Sequence, residues 1–96
     1  MKEEFERIVN AVAEEAELRP AQILSRRRFP EIIDARWVAV KLMREEGFYT
    51  SRIADLMQMT TRNVNHILFS VEMRLSLNDK ALGNILEGAR KKLRNR

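Results

Sequence analysis

Between Thr60 and His66 the chain sets six hydrogen-bonding side chains around one apolar residue, in the order Thr60-Thr61-Arg62-Asn63-Val64-Asn65-His66. An arginine can donate two hydrogen bonds to guanine, an asparagine can donate and accept at adenine, and a threonine pairs a hydroxyl with a methyl that suits thymine. These residue types read base edges in a major groove. Upstream, Ser25-Arg26-Arg27-Arg28 puts three guanidiniums into four residues, a composition suited to phosphates. The solvated face of an ordinary helical hairpin would carry the same residue types, so the surrounding pattern decides.

Other chemistries find less support. Glu14-Glu15 and Glu45-Glu46 are adjacent carboxylates, but they fall on amphipathic helical stretches with no histidine beside them, which makes them solvated faces and not an acid–base pair. The chain has no cysteine and one histidine, which excludes a thiolate nucleophile, a disulfide frame and a zinc site built on Cys or several His. Gly83-Asn84-Ile85-Leu86-Glu87-Gly88-Ala89-Arg90 has the glycine spacing of a phosphate loop, with Ala-Arg in place of Lys-Ser/Thr. It follows no strand and lies in a helical pattern, so it offers no cradle of backbone N–H groups. The expectation is a protein that is not an enzyme and takes no cofactor or metal.

Ninety-six residues, 45% apolar and 33% charged, suffice for one small domain. The net charge of +4 conceals an asymmetry. Residues 1–17 hold Lys2 and Arg7 against six glutamates, a balance of −4 that leaves +8 on the remainder. A basic body behind an acidic first helix implies a side that faces a polyanion. No apolar run approaches the roughly 20 residues of a membrane span, and Met1-Lys2-Glu3-Glu4 starts no apolar leader. A cytoplasmic, nucleoid-associated protein with no membrane partner is expected.

Several helices must position these groups. Phe5, Ile8, Val9, Val12 and Ala16 form one helical stripe over about residues 3–17. Pro20 suits the first turn of a short second helix that buries Ile23 and Leu24. Pro30 opens a third helix, which stops at Gly47 and is apolar around much of its girth, hence central, with Trp37 in the core. A short helix near Ser51 to Met57 and a longer one from about Thr61 to Leu75 follow, with Thr60 as N-cap. Beyond a break at Ser76-Leu77-Asn78, Leu82, Ile85, Leu86, Ala89 and Leu93 define a last amphipathic helix that ends in Lys91, Lys92, Arg94 and Arg96. The fold class is all-α, a compact bundle of about six helices in a single domain over residues 1–96.

Residues 50–69 read as a helix-turn-helix. Two helices joined by a tight turn need apolar residues where they meet, and Ile53, Met57, Met59, Val64 and Ile67 fall at those places, with Ala54 as the small residue at the contact. Gln58 occupies the turn position that most often holds glycine, which predicts strain or an altered turn there.

With these motifs in place, nearly the whole chain resembles the C-terminal duplex-DNA-binding domain of the bacterial chromosomal replication initiator DnaA. The resemblance runs through Leu24-Ser25-Arg26-Arg27-Arg28, then Glu31-Ile32-Ile33-Asp34-Ala35-Arg36-Trp37-Val38-Ala39-Val40-Lys41-Leu42-Met43-Arg44-Glu45, then the helix-turn-helix. Ile8-Val9, Leu18 and Ile23-Leu24 before it, and Val71-Glu72-Met73-Arg74 and Ile85-Leu86 after it, extend the likeness. It implies a helical domain related to the Trp repressor. It also implies that Arg28 enters a minor groove, where an arginine reads the negative potential of a narrow segment, and that Arg36 contacts phosphate. Trp37 stands where the family usually has Gln. The family's Arg-Asp-His-Thr-Thr-Val signature corresponds to Met59-Thr60-Thr61-Arg62-Asn63-Val64, of which only Val64 is kept. The resemblance therefore implies retained DNA binding with a different sequence preference. The initiator's nucleotide-binding motor has no counterpart in these residues, so ATP hydrolysis is not expected.

The resulting expectation is a sequence-specific binder of double-stranded DNA. Arg28, Thr61, Arg62, Asn63, Asn65 and His66 contact bases, and Arg26, Arg27, Arg36, Thr50, Ser51, Arg52 and Thr60 contact phosphates. A replication or transcription protein is a second candidate partner, and the chain is a monomer or a weak homodimer. The alternatives are a small Trp repressor-like transcriptional regulator and a helical protein-interaction module that uses the acidic first helix or an exposed stripe of the last helix.

Overall fold

The computed structural model describes residues 2–95 as six helices joined by short turns. They are α1 (Lys2–Ala16), α2 (Pro20–Ile23), α3 (Pro30–Glu45), α4 (Thr50–Met57), α5 (Thr61–Ser76) and α6 (Lys80–Arg94). The Cα radius of gyration is 12.0 Å, close to the roughly 12.5 Å of a compact chain this long. None of these helices is long and apolar enough to cross a membrane.

The third helix is central because it has little polar girth. Ile32, Ala35, Val38, Ala39, Val40, Leu42 and Met43 are buried, and α3 touches each of the other five helices. The stripe of α1 packs on α3 and α6 through Phe5, Ile8, Val9 and Val12. Leu82, Leu86 and Ala89 of α6 are buried in return, so the last helix has no free apolar stripe. The exposed stripe is instead on α5, at Phe69, Met73 and Leu77. Two side chains expected inside lie elsewhere. Leu24 is 44% exposed because α2 is a single turn that sends only Ile23 inward. Trp37 is half-buried between α3 and α5, with the His66 ring edge-on at 6.2 Å and the Arg74 guanidinium 5.8 Å from its centroid.

The helix ends follow local rules in most places. Gly47 ends α3 at φ +98°, where Phe48 N–H donates to Met43 O at 3.0 Å. Asp79 caps α6 by accepting from Leu82 N–H at 3.1 Å, and the same carboxylate binds Arg74. Arg74 also binds Asp34 of α3 at 2.8 Å, so one guanidinium ties three helices together. Gly83 and Gly88 lie inside α6, and Gly88 leaves the space in which Glu15 of α1 lies against that helix. At the end of α4, Gln58 takes the left-handed conformation, φ 56° and ψ 51°, without distorting the turn. Met59 N–H donates to Ala54 O at 2.9 Å across it, as in a glycine-terminated helix.

Two stability predictions follow from these contacts. Burial alone would raise the Glu45 carboxyl, but the hydrogen bond and charge of Arg90, with Lys41, outweigh it and hold Glu45 below its ordinary value. Asp79 is lowered first by the Leu82 N–H and then by Arg74. Groups whose folded values are depressed stabilise the fold above their unfolded values of about 4, and lose that contribution as pH falls through the lower folded values. Thermal melts should therefore show the midpoint falling below about pH 4, with a shallower fall in Glu45→Gln. A left-handed L-residue costs about 1–2 kcal/mol, partly offset by the greater freedom of unfolded glycine. Gln58→Gly should accordingly raise the melting temperature by a few degrees and Gln58→Val lower it, as calorimetry can check.

Candidate nucleic-acid interface

The site begins at the turn between α4 and α5. Ile53, Ala54 and Met57 of α4 and Val64 and Ile67 of α5 are buried against one another and α3, with Met59 half-buried beside them. That contact leaves the other faces of α5 outward, and Thr61, Arg62, Asn63, Asn65 and His66 are all exposed. Thr60 caps the helix, its Oγ1 accepting from Asn63 N–H at 3.0 Å. The N–H groups of Thr61 and Arg62 have no partner among the described residues. The first turns of α4 and α5 hold no acidic residue, so both N-termini keep their positive end uncompensated.

The basic loop is built against this turn. Ser25 Oγ donates to Gln22 O at 2.6 Å and accepts from Arg27 N–H at 3.3 Å. Arg36 of α3 holds the loop from behind. Its Nε donates to Ile23 O at 2.9 Å, and its Nη2 donates to Ser25 O at 2.6 Å and Arg27 O at 3.1 Å. Burial, followed by the like charge of Arg28, lowers the Arg36 pKa from its ordinary value. The two guanidiniums are therefore close enough to repel, and the Arg28 side chain is left free at the surface.

Loop and turn together line a groove of about 350 Å³, bounded by Arg26, Arg28 and Arg36 on one side and by Gln58, Met59 and Asn63 on the other. A shallower continuation reaches Thr60 and the Asp55 carboxylate. The structure thus brings Arg26, Arg28, Arg36, Thr60 and Asn63 together. Thr61, Arg62, Asn65 and His66 occupy the exposed faces of α5 outside the groove, and Thr50, Ser51 and Arg52 stand at the start of α4. Five residues the sequence reading did not place in the site, Leu24, Ser25, Met57, Gln58 and Met59, line the groove. Polarity at the usual glycine position was the only signal for Gln58.

The charge distribution divides the surface. Arg7, Lys41, Arg74, Arg90 and Lys92 all form ion pairs, with Lys92 joining Glu14 and Glu15 across the α1–α6 contact. Arg26, Arg27, Arg28, Arg52 and Arg62 have none among the described residues. Five unpaired guanidiniums thus stand in the basic loop and on α4 and α5, with Asp55 beside the groove; Lys2, Arg19, Arg44, Lys80, Lys91 and Arg94 likewise form no ion pair among the described residues. Compared with known proteins, the chain matches no protein-family model and no curated sequence.

Arg36 forms its hydrogen bonds to three carbonyls through a planar fork that a lysine cannot reproduce. Arg36→Met and Arg36→Lys should both loosen the loop, so that trypsin cuts after Arg26, Arg27 and Arg28 several-fold faster. Hydrogen bonds to a charged group contribute about 1.5–3 kcal/mol, so the global melt should fall by only several degrees. Equal cleavage rates in wild type and variants, read by mass spectrometry of early fragments, would show that Arg36 does not hold the loop.

Proposed function

We propose that this chain binds double-stranded DNA in a sequence-dependent way, as a relative in kind of the replication initiator's C-terminal domain and with a different preferred site. The observation that carries the proposal is the groove that joins the basic loop to the N-terminal end of α5, lined by Arg26, Arg28 and Arg36, none of which pairs with a carboxylate among the described residues. A polyanion is the ligand that such a surface lacks.

In this reading the N-terminal half of α5 enters the major groove. Arg62, Asn63 and Asn65 read base edges, with Thr61 and His66 at the margins of that face. Arg26, Arg27 and Arg52 hold phosphates, together with the backbone N–H groups of Thr50 and Ser51 at the start of α4. Arg28 reaches the adjacent minor groove. Thr60 and Arg36 position other groups, because the Thr60 hydroxyl already caps α5 and the Arg36 donors already hold the loop. Phosphate contacts set the register, and base contacts set the sequence. The chain would accordingly be found with the nucleoid, acting in replication or transcription.

Fluorescence anisotropy tests this directly, with labelled duplexes carrying the initiator family's A·T-rich box, a scrambled version and a randomised pool at two salt concentrations. Binding should weaken steeply with salt. Arg62→Ala should remove roughly 1–3 kcal/mol of discrimination between preferred and random DNA, whereas Arg27→Ala should weaken all duplexes alike and reduce the salt slope by about one. No salt-sensitive binding to any duplex would overturn the proposal, and equal losses on every duplex for both variants would remove Arg62 as a reader.

A further inference from the structure

One exposed side chain of the basic loop has no task in the fold. Phe29 is the N-cap of α3, a position where short polar side chains stabilise a helix by accepting a backbone N–H, and it makes no such bond. It is also not the hydrophobic staple of that helix. A staple would join the preceding residue, which is Arg28, to Ile33. Phe29 is 58% exposed, directly beside the free Arg28.

The backbone under this ring is held firmly. Phe29 O accepts from the N–H groups of Ile32 and Ile33, both at 2.9 Å. Its dihedrals, φ −66° and ψ 139°, are those that a following proline enforces, and Pro30 supplies it. On the other side, Arg27 O is tied to Arg36. A large apolar side chain is therefore presented to solvent from a held backbone, next in the chain to the Arg28 guanidinium. Proteins that bend DNA from the minor groove use this combination, in which arginine follows the groove and an apolar wedge parts a base step.

We propose that Phe29 inserts into a base step beside the minor-groove position of Arg28 and bends the duplex toward the major groove; this rests on the DNA-binding reading above. Parting a step is easiest at flexible TA or CA steps. The inference thus adds a shape requirement to the preferred site, an easily kinked step next to an A·T-rich segment, at base pairs that α5 does not reach.

The full chain is tested on duplexes that carry 2-aminopurine at a TA step and a donor–acceptor dye pair at the ends. Wild type should raise the 2-aminopurine fluorescence and shorten the end-to-end distance, as a kink of about 20–90° requires. Phe29→Ala should stay folded by circular dichroism, bind with about tenfold lower affinity and lose both signals. Phe29→Leu, which keeps an apolar wedge, should restore much of each. Salt-sensitive binding by wild type with neither signal, or signals that persist in Phe29→Ala, overturns the wedge and leaves DNA binding standing. Absence of binding to every duplex overturns both.

Discussion

The site depends on the burial of α3, a helix with almost no side left for water. Because Ile32, Ala35, Val38, Ala39, Val40, Leu42 and Met43 face inward in several directions, the other five helices must pack around it. Its two ends then fix both halves of the site. Near the N-terminal end, Arg36 holds the Ser25–Arg28 loop by its carbonyl oxygens. At the C-terminal end, Gly47 turns the chain into α4, and α5 packs back across α3 until its first turn meets the loop. Loop and turn are apart in sequence and line the same groove because the same helix carries both.

Electrostatics divides the work with packing. The acidic α1, which looks in the sequence like a solvated or partner-binding face, has Glu14 and Glu15 against Lys92 of α6. Arg74 is placed between Asp34 and Asp79, and Asp34 is the first reason that its pKa is raised. Each such pair holds two helices together. Exposed pairs of this kind contribute little stability singly, about 0–1 kcal/mol. Their larger effect is on where the remaining positive potential lies.

Much of the fold was legible from periodicity, because all six helices carry either a clean apolar stripe or a proline or glycine at an end. The contact between α4 and α5 was legible for the same reason, and Ile53, Ala54, Met57, Val64 and Ile67 are buried as the spacing predicts. What spacing could not supply was the distribution of long side chains. Nothing local distinguishes Arg36, turned back onto three carbonyls, from Arg28, which is free. Trp37 reads as core by its place on α3, yet it fills the gap beside His66 and Arg74 because α5 crosses there. The Asp79 cap escaped notice because its value lies in a partner five residues back, Arg74, as much as in the helix it starts.

Local rules are broken at several helix ends, for Glu17, Gln58 and Asn78 are all left-handed residues other than glycine. Gln58 is left-handed where glycine costs less, Phe29 and Tyr49 occupy N-caps that favour short polar residues, and Arg28 lies near Arg36 with no carboxylate paired to either among the described residues. The Gly47 turn and the Asp79 cap obey the rules. Sequences tend to depart from local consistency where function requires it. The departures at Arg28, Phe29 and Tyr49 leave a guanidinium and two aromatic rings exposed. Of these departures, Gln58 and Arg28 meet in one groove with Arg26 and Asn63, and the proposed DNA-binding reading rests on that juxtaposition.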